Sequence, residues 1–276
     1  MAELVADAPA IRVEGDLKNA CIANRANVLV TAKAASFDLA STIVPHSIDE
    51  AQATPAVIGA VGAGPHSRLV AQTTVRIAAG YGADPILVTM ARQTEDDQEA
   101  LQVLQDVAPY APKAESRLIR GETAADLIAS LPAEGLLVLG AAGGSWWQRQ
   151  FFGPGRRMML AAAAGAIVVR TADRRCFHDL IDTTAIGAPM GVSDAAAILT
   201  DAVASVVADR KLIGIVRKGA LADSQCDSTV ADVMEEAIFV TADDHIEAIA
   251  DVAEQLDGAP VPVVDDAGNL LGGVAT

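Results

Sequence analysis

The sequence predicts an α/β protein with a doubly wound parallel sheet of five strands, followed by a smaller α+β module. Three observations predict it. Between Pro55 and Arg170, continuous apolar runs alternate with helically spaced segments, as in a parallel sheet covered on both faces. From Pro189 onward the pattern changes to a Val-Val run, a polar turn and a Leu-x-Gly-x-Val run, present at Ser205–Val216 and again at Pro262–Val274. The charge divides in the same way. Acidic and basic residues number 7 and 4 in residues 1–50, 11 and 12 in 51–175, and 18 and 4 in 176–276. Such asymmetry marks separate modules.

Residues 1–53 form an N-terminal segment without an assigned role. Asn27-Val28-Leu29-Val30 can form a strand, and Pro45–Glu50 reads as a turn into a short helix. The α/β module covers residues 54–172. Ala56–Val61 is its first strand, and Gly62–Pro65 a turn. Ser67 to Tyr81 has helical spacing, with Ser67 as N-cap and Gly80 and Gly82 as stops. Ile86–Met90 is a strand, and Glu95–Val107 an amphipathic helix with Leu101, Leu104 and Val107 inward. Ser116–Ile119 is strand-like, Gly121-Glu122-Thr123 leads into a helix at Ala124–Ala129, and Gly135–Gly140 is an apolar strand. Residues 156–164 are helical, and Ala166–Val169 closes the sheet.

Composition excludes several function classes. The net charge of −16 argues against nucleic acid or an anionic membrane as partner. Aromatics are 3%, so Ala, Val, Leu and Ile must build the core. Cys21, Cys176 and Cys226 are scattered and odd in number, which indicates neither a disulfide framework nor a zinc knuckle. No secretory signal is visible, and the longest apolar run, Met158–Val169, is too short to span a bilayer. A cytoplasmic protein is expected. His46, His66, His178 and His245 lack metal-binding spacing, and Ser67 lies in no nucleophile elbow. No catalytic set is visible, so weak ATP hydrolysis is the most that is expected.

The sharpest constellation is Gly140-x2-Gly143-x9-Gly153, followed by Pro154, Gly155, Arg156 and Arg157, between a buried strand and a helix. Glycines there let the backbone approach an anion, and a helix N-terminus offers free N–H groups. On this motif, on the Arg120–Thr123 turn and on the Ala166–Arg170 strand, residues 54–171 resemble the universal stress protein family. The resemblance implies a flavodoxin-like sheet, pairing of two copies through the last strand, and binding of ATP or AMP, with Gly62, Gly140, Gly143, Gly153, Gly155 and Arg156 at the nucleotide. Two departures stand out. Gly62 occupies the place of the acidic residue after the first strand. Pro154, with neither N–H nor hydroxyl, occupies that of a Ser or Thr.

Residues 176–276 resemble a CBS (cystathionine-β-synthase type) pair. The second copy, about 228–276, is carried by Val230–Val240, the helix at Ile246–Leu256 and Pro262–Val274. The first, about 182–220, is shortened between Val192 and Val207 by a helical turn or more. This resemblance implies an adenosine nucleotide between the copies. The ribose-holding Thr/Ser-x-x-Asp is replaced after Val216 by Arg217, Lys218, Gly219 and Ala220. Arg217 and Lys218 form a possible second phosphate site.

Together these readings predict a stress-related regulatory homodimer that binds an adenine nucleotide or another phosphate-bearing anion. It would signal through domain or dimer contacts, with no metal. The competing expectation is an interaction module with decayed sites. In that version the cluster Trp146, Trp147, Phe151 and Phe152 would anchor an unidentified protein partner.

Overall fold

In the computed structural model, the structure describes residues 10–32, 37–48, 56–132, 134–141, 164–225 and 227–275. The chain divides into two compact units. Val28–Ala172, with the leading residues through Glu14, forms the first. Gly15–Asn27, which carries helix α1 (Leu17–Ala23), joins Asp173–Thr276 in the second.

The first unit is built on a seven-stranded sheet of β1 (Val28–Val30), β2 (Ser41–His46), β3 (Ala56–Ala60), β4 (Asp84–Ala91), β5 (Glu115–Arg120), β6 (Leu136–Gly140) and β7 (Ala166–Arg170). Their order is β1-β2-β7-β6-β3-β4-β5. Strands β3 to β7 run parallel to one another. Alternate residues of these strands enter two cores. Val57, Leu87, Leu136, Val138 and Ile167 pack with α2 (Ser67–Tyr81) and α3 (Asp97–Val107) through Val70, Ile77, Leu104 and Val107. Ile58, Ile86, Val88, Leu137 and Leu139 face the other way and pack with Leu127 of α4 (Ala124–Ala129). The near absence of polar residues in β3 and β6 follows from this two-sided burial. Thr123 caps α4: Asp126 accepts from the amides of Glu122 and Thr123 at 3.0 and 2.8 Å.

Four expectations are corrected here. The sheet has two more strands than the five expected. The five parallel strands, counted along the chain, lie in the order 3-2-1-4-5, whereas a flavodoxin-like sheet has 2-1-3-4-5. Pro45 and His46 are part of β2 and not of a turn. Strand β1 pairs only with Ser41–Ile43, so Pro45 lies where the outer side of β2 needs no donor. In α3, Leu101 is 45% exposed and Ala100 is buried instead; steps of four and three residues from Ala100 reach Leu104 and Val107.

One edge bears on assembly. Strand β2 pairs antiparallel with β7 from Thr42–Arg170 to His46–Ala166. The edge through which pairing of two copies was expected is therefore occupied by the chain's own β2.

The second unit has an internal two-copy order. The first copy comprises β8 (Ala185–Gly187), α5 (Val192–Ile198), β9 (Val203–Ala208) and β10 (Lys211–Arg217), followed by α6 (Lys218–Asp223) and α7 (Val230–Val233). The second comprises β11 (Val240–Thr241), a 3-10 turn (Ile246–Ala248) running into α8 (Ile249–Ala253), a further 3-10 turn (Glu254–Leu256), β12 (Val261–Val264) and β13 (Leu270–Val274). In each copy the short strand is parallel to the next and that strand forms an antiparallel hairpin. Gly187 pairs with Val207 and Thr241 with Val264. The first copy thus has three fewer residues between these pairs, just under one helical turn.

The copies are joined by exchange. Ile181, ahead of the first copy, trades both backbone hydrogen bonds with Gly273 of β13, at 2.8 and 3.0 Å. Glu235, ahead of the second, does the same with Ile215 of β10, at 2.8 and 3.1 Å. Helix α1 is held on this unit by Lys18, whose ammonium donates to Asp243 and Asp266, both at 2.9 Å. Arg25 adds a bond to the Leu180 carbonyl at 2.8 Å.

Candidate functional site

Two places in the fold gather polar groups. In the first unit, the carboxyl ends of β3 and β6 lie side by side where the strand order reverses, which is where open parallel sheets bind ligands. Gly62 follows β3, and Gly140 ends β6. The Ser67 hydroxyl closes the loop between β3 and α2, donating to the Gly62 carbonyl at 2.5 Å and accepting from the Gly62 amide at 3.0 Å. It is thereby committed to that loop, and His66, not the expected Ser67, occupies the N-cap position of α2.

His66 is 8% exposed. Its Nδ1 accepts from the Thr171 amide at 3.1 Å. Burial, reinforced by the charge of Arg170, holds this imidazole below its ordinary pKa. It is therefore a neutral acceptor. A Cβ on Gly140 would lie 2.9 Å from the His66 Cβ, so the glycine is needed for this packing as much as for an anion. Sequence reasoning weighed His66 only against metal spacing and a Ser/His pair with Ser67. Its place at the start of α2, beside the strand crossover, was the signal available.

Of the residues expected at the nucleotide, Gly62 and Gly140 lie together at this carboxyl edge. Gly143, Gly153, Gly155 and Arg156 lie outside the described residues, as do Cys226, residues 156–163 of the helix expected at 156–164, and the Trp146–Phe152 cluster.

In the second unit a shallow cleft, about 270 Å³ with the open solvent at its mouth included, is lined by Thr183, Thr184, Asp201, Val203, Ala204, Ser205, Leu256, Pro260 and Pro262. The starts of β9 and β12 both contribute, and the register equates Ser205 with Pro262. The Thr183 Oγ1 is buried without a hydrogen-bond partner. These residues were not foreseen, because the sequence search looked after the last strand of each copy and not before the middle one.

Arg217 lies at the end of β10, opposite Val203. Its Nε donates to both carboxylate oxygens of Glu235 at 3.1 Å, Nη1 to Asp257 at 2.7 Å, and Nη2 to the Gln255 carbonyl at 2.7 Å. Lys218 begins α6 with an exposed side chain, and its amide donates to the Ala202 carbonyl at 2.9 Å.

The two buried thiols, Cys21 and Cys176, are free. Burial pushes the Cys176 thiol up to about 11, with Asp244 adding to the shift. Among the described residues no group of three or more His, Cys, Asp and Glu could hold a metal, and no helix is long and apolar enough to cross a membrane.

No family model matches the chain, and no curated protein matches it. The similar solved structures include CBS domain pair proteins. The soluble part of a magnesium transporter is 26% identical, over 38% of this chain and 45% of its own, with a TM-score of 0.34. The chain thus spans less than half of that protein's length. A CBS domain pair/ACT domain protein from Thermotoga maritima is 20% identical, over 37% of this chain and 88% of its own, with a TM-score of 0.34. CBSX2, a CBS-pair protein from Arabidopsis thaliana, solved in complex with AMP, is 19% identical, over 37% of this chain and 90% of its own, with a TM-score of 0.33.

Proposed function

We propose that the chain is a regulatory protein that binds an adenine nucleoside or nucleotide. The observation that carries this reading is the cleft of the second unit. Two copies of one strand-helix-hairpin order both line it, through their equivalent strand starts. Apolar walls with a few converging hydroxyls and one carboxylate suit a flat base and a sugar. The Gly140-x2-Gly143-x9-Gly153 spacing and Arg156 support a second, phosphate-binding locus of the stress-protein kind in the first unit. Signalling would then pass through domain or dimer contacts in the cytoplasm.

A second reading is a partner-docking module without a nucleotide. Gly62 in place of a carboxylate, Pro154 without an N–H and the filled guanidinium of Arg217 favour it.

Calorimetric titration of the full chain with ATP, AMP and S-adenosylmethionine tests the proposal, beside a Gly153→Asp variant that blocks the glycine loop. Binding that persists in the variant assigns the ligand to the second unit. Binding lost in it assigns the ligand to the first. No heat with any of the three at millimolar concentration leaves the docking module as the better account.

A further inference from the structure

We infer that the cleft of the second unit prefers an adenosine compound without net negative charge, either a neutral nucleoside or a cationic adenosyl derivative, over a phosphorylated one. The inference rests on the reading just given and concerns the ligand's charge.

A bound phosphate needs N–H donors or cations around it. Pro260 and Pro262 have no amide hydrogen, so two of the wall positions offer no main-chain donor. The described lining residues include no Lys or Arg, and the one charged side chain among them is the Asp201 carboxylate, which only accepts. The hydroxyls of Thr183, Thr184 and Ser205 donate and accept equally well, as a sugar's do. That of Thr183 is buried with its hydrogen-bonding capacity unspent, which is the condition that a ligand hydroxyl would relieve.

The cation set beside the cleft by strand register is Arg217, opposite Val203. Its guanidinium is spent on Glu235, Asp257 and the Gln255 carbonyl, so one positive charge is outweighed by two negative ones. Two of these partners, Gln255 and Asp257, flank Leu256, itself part of the lining. The surroundings repeat this sign, with 18 acidic against 4 basic residues over 176–276. A phosphate entering the cleft is therefore repelled by this net negative surround, with no cation among the described lining residues to offset it, while a sulfonium or a neutral nucleoside is not.

The test is calorimetry of the full chain, with and without Gly153→Asp, using adenosine, AMP, ATP and S-adenosylmethionine at two salt concentrations. Adenosine and S-adenosylmethionine should bind at least about tenfold tighter than AMP, and ATP more weakly still. The gap should narrow at high salt, a measurement that needs no variant, and again in Asp201→Asn. AMP or ATP binding in the Gly153→Asp chain as tightly as adenosine would overturn the inference and leave the proposed function standing. Loss of that binding in Lys218→Ala would then identify Lys218 as the phosphate's partner. Absence of binding by all four would remove the proposed function itself.

Discussion

The carbonyl oxygen of Glu235 lies 2.6 Å from where a Cβ on Gly214 would stand. In the other copy the Ile181 carbonyl lies 2.6 Å from the Cβ position of Gly272. The Leu-x-Gly-x-Val run repeats because each copy's last strand must admit the lead-in segment of the other. No side chain fits between two backbones at that distance.

Gly214→Ala should therefore destabilise the second unit by about 1–3 kcal/mol. Gly272→Ala should cost more, because Gly272 also has a φ of 146°. Urea unfolding followed by circular dichroism measures both. A midpoint unchanged in Gly214→Ala would mean that the lead-in segment shifts freely.

Lys18→Met should weaken the second unit at pH 7 by about 1 kcal/mol or less, because the pair is partly exposed. The hydrogen bond from Lys18 holds the Asp243 carboxyl below its ordinary value. A carboxylate depressed in the folded state stabilises above its unfolded pKa of about 3.9 and loses that contribution as pH falls below it. The difference between wild type and Lys18→Met should therefore shrink as pH falls below about 4. A difference that does not shrink there would assign the effect to packing of the lysine stem.

His66 is held neutral by burial beside Arg170. Its folded pKa lies below the unfolded value of about 6.5, so the unfolded chain takes up a proton first. Stability of the first unit should fall as pH drops below about 6.5. Its imidazole resonances should titrate below those of an exposed histidine. A His66 that titrates at 6.5 or above would contradict its burial against Gly140 and Thr171.

Strand β2 covers β7, and its Ile43 is 1% exposed. Ile43→Asp should undock β2, uncover the β7 edge and produce concentration-dependent association in the ultracentrifuge. If far-ultraviolet circular dichroism shows the sheet retained and the mass does not change with concentration, β2 is not what blocks that edge.

The central strands were legible because burial on both faces leaves no room for polar residues, so Val57–Gly59 and Leu136–Leu139 could hardly be anything else. Strand β2 was not. Pro45-His46-Ser47 has the composition of a turn, and only the short reach of β1 makes a proline tolerable there. The repetition around Gly214 and Gly272 was visible in the sequence, but its cause was not, since the carbonyls that require it come from Glu235 and Ile181. The cleft was invisible for a related reason. Thr183, Asp201, Ser205 and Pro262 are unremarkable singly, and only the pairing of the copies assembles them.

The position of α1 in the chain has a kinetic consequence. Lys18 precedes Asp243 and Asp266 by 225 and 248 residues. A ribosome adding about 5–20 residues per second leaves the helix without these partners for roughly 10–50 s. Residues 28–172 are contiguous and can finish folding within that interval. The first described helix is thus among the last to dock. Until Asp266 has been made, the apolar face of Cys21 and Ile22 is open to any chaperone that recognises a short amphipathic helix.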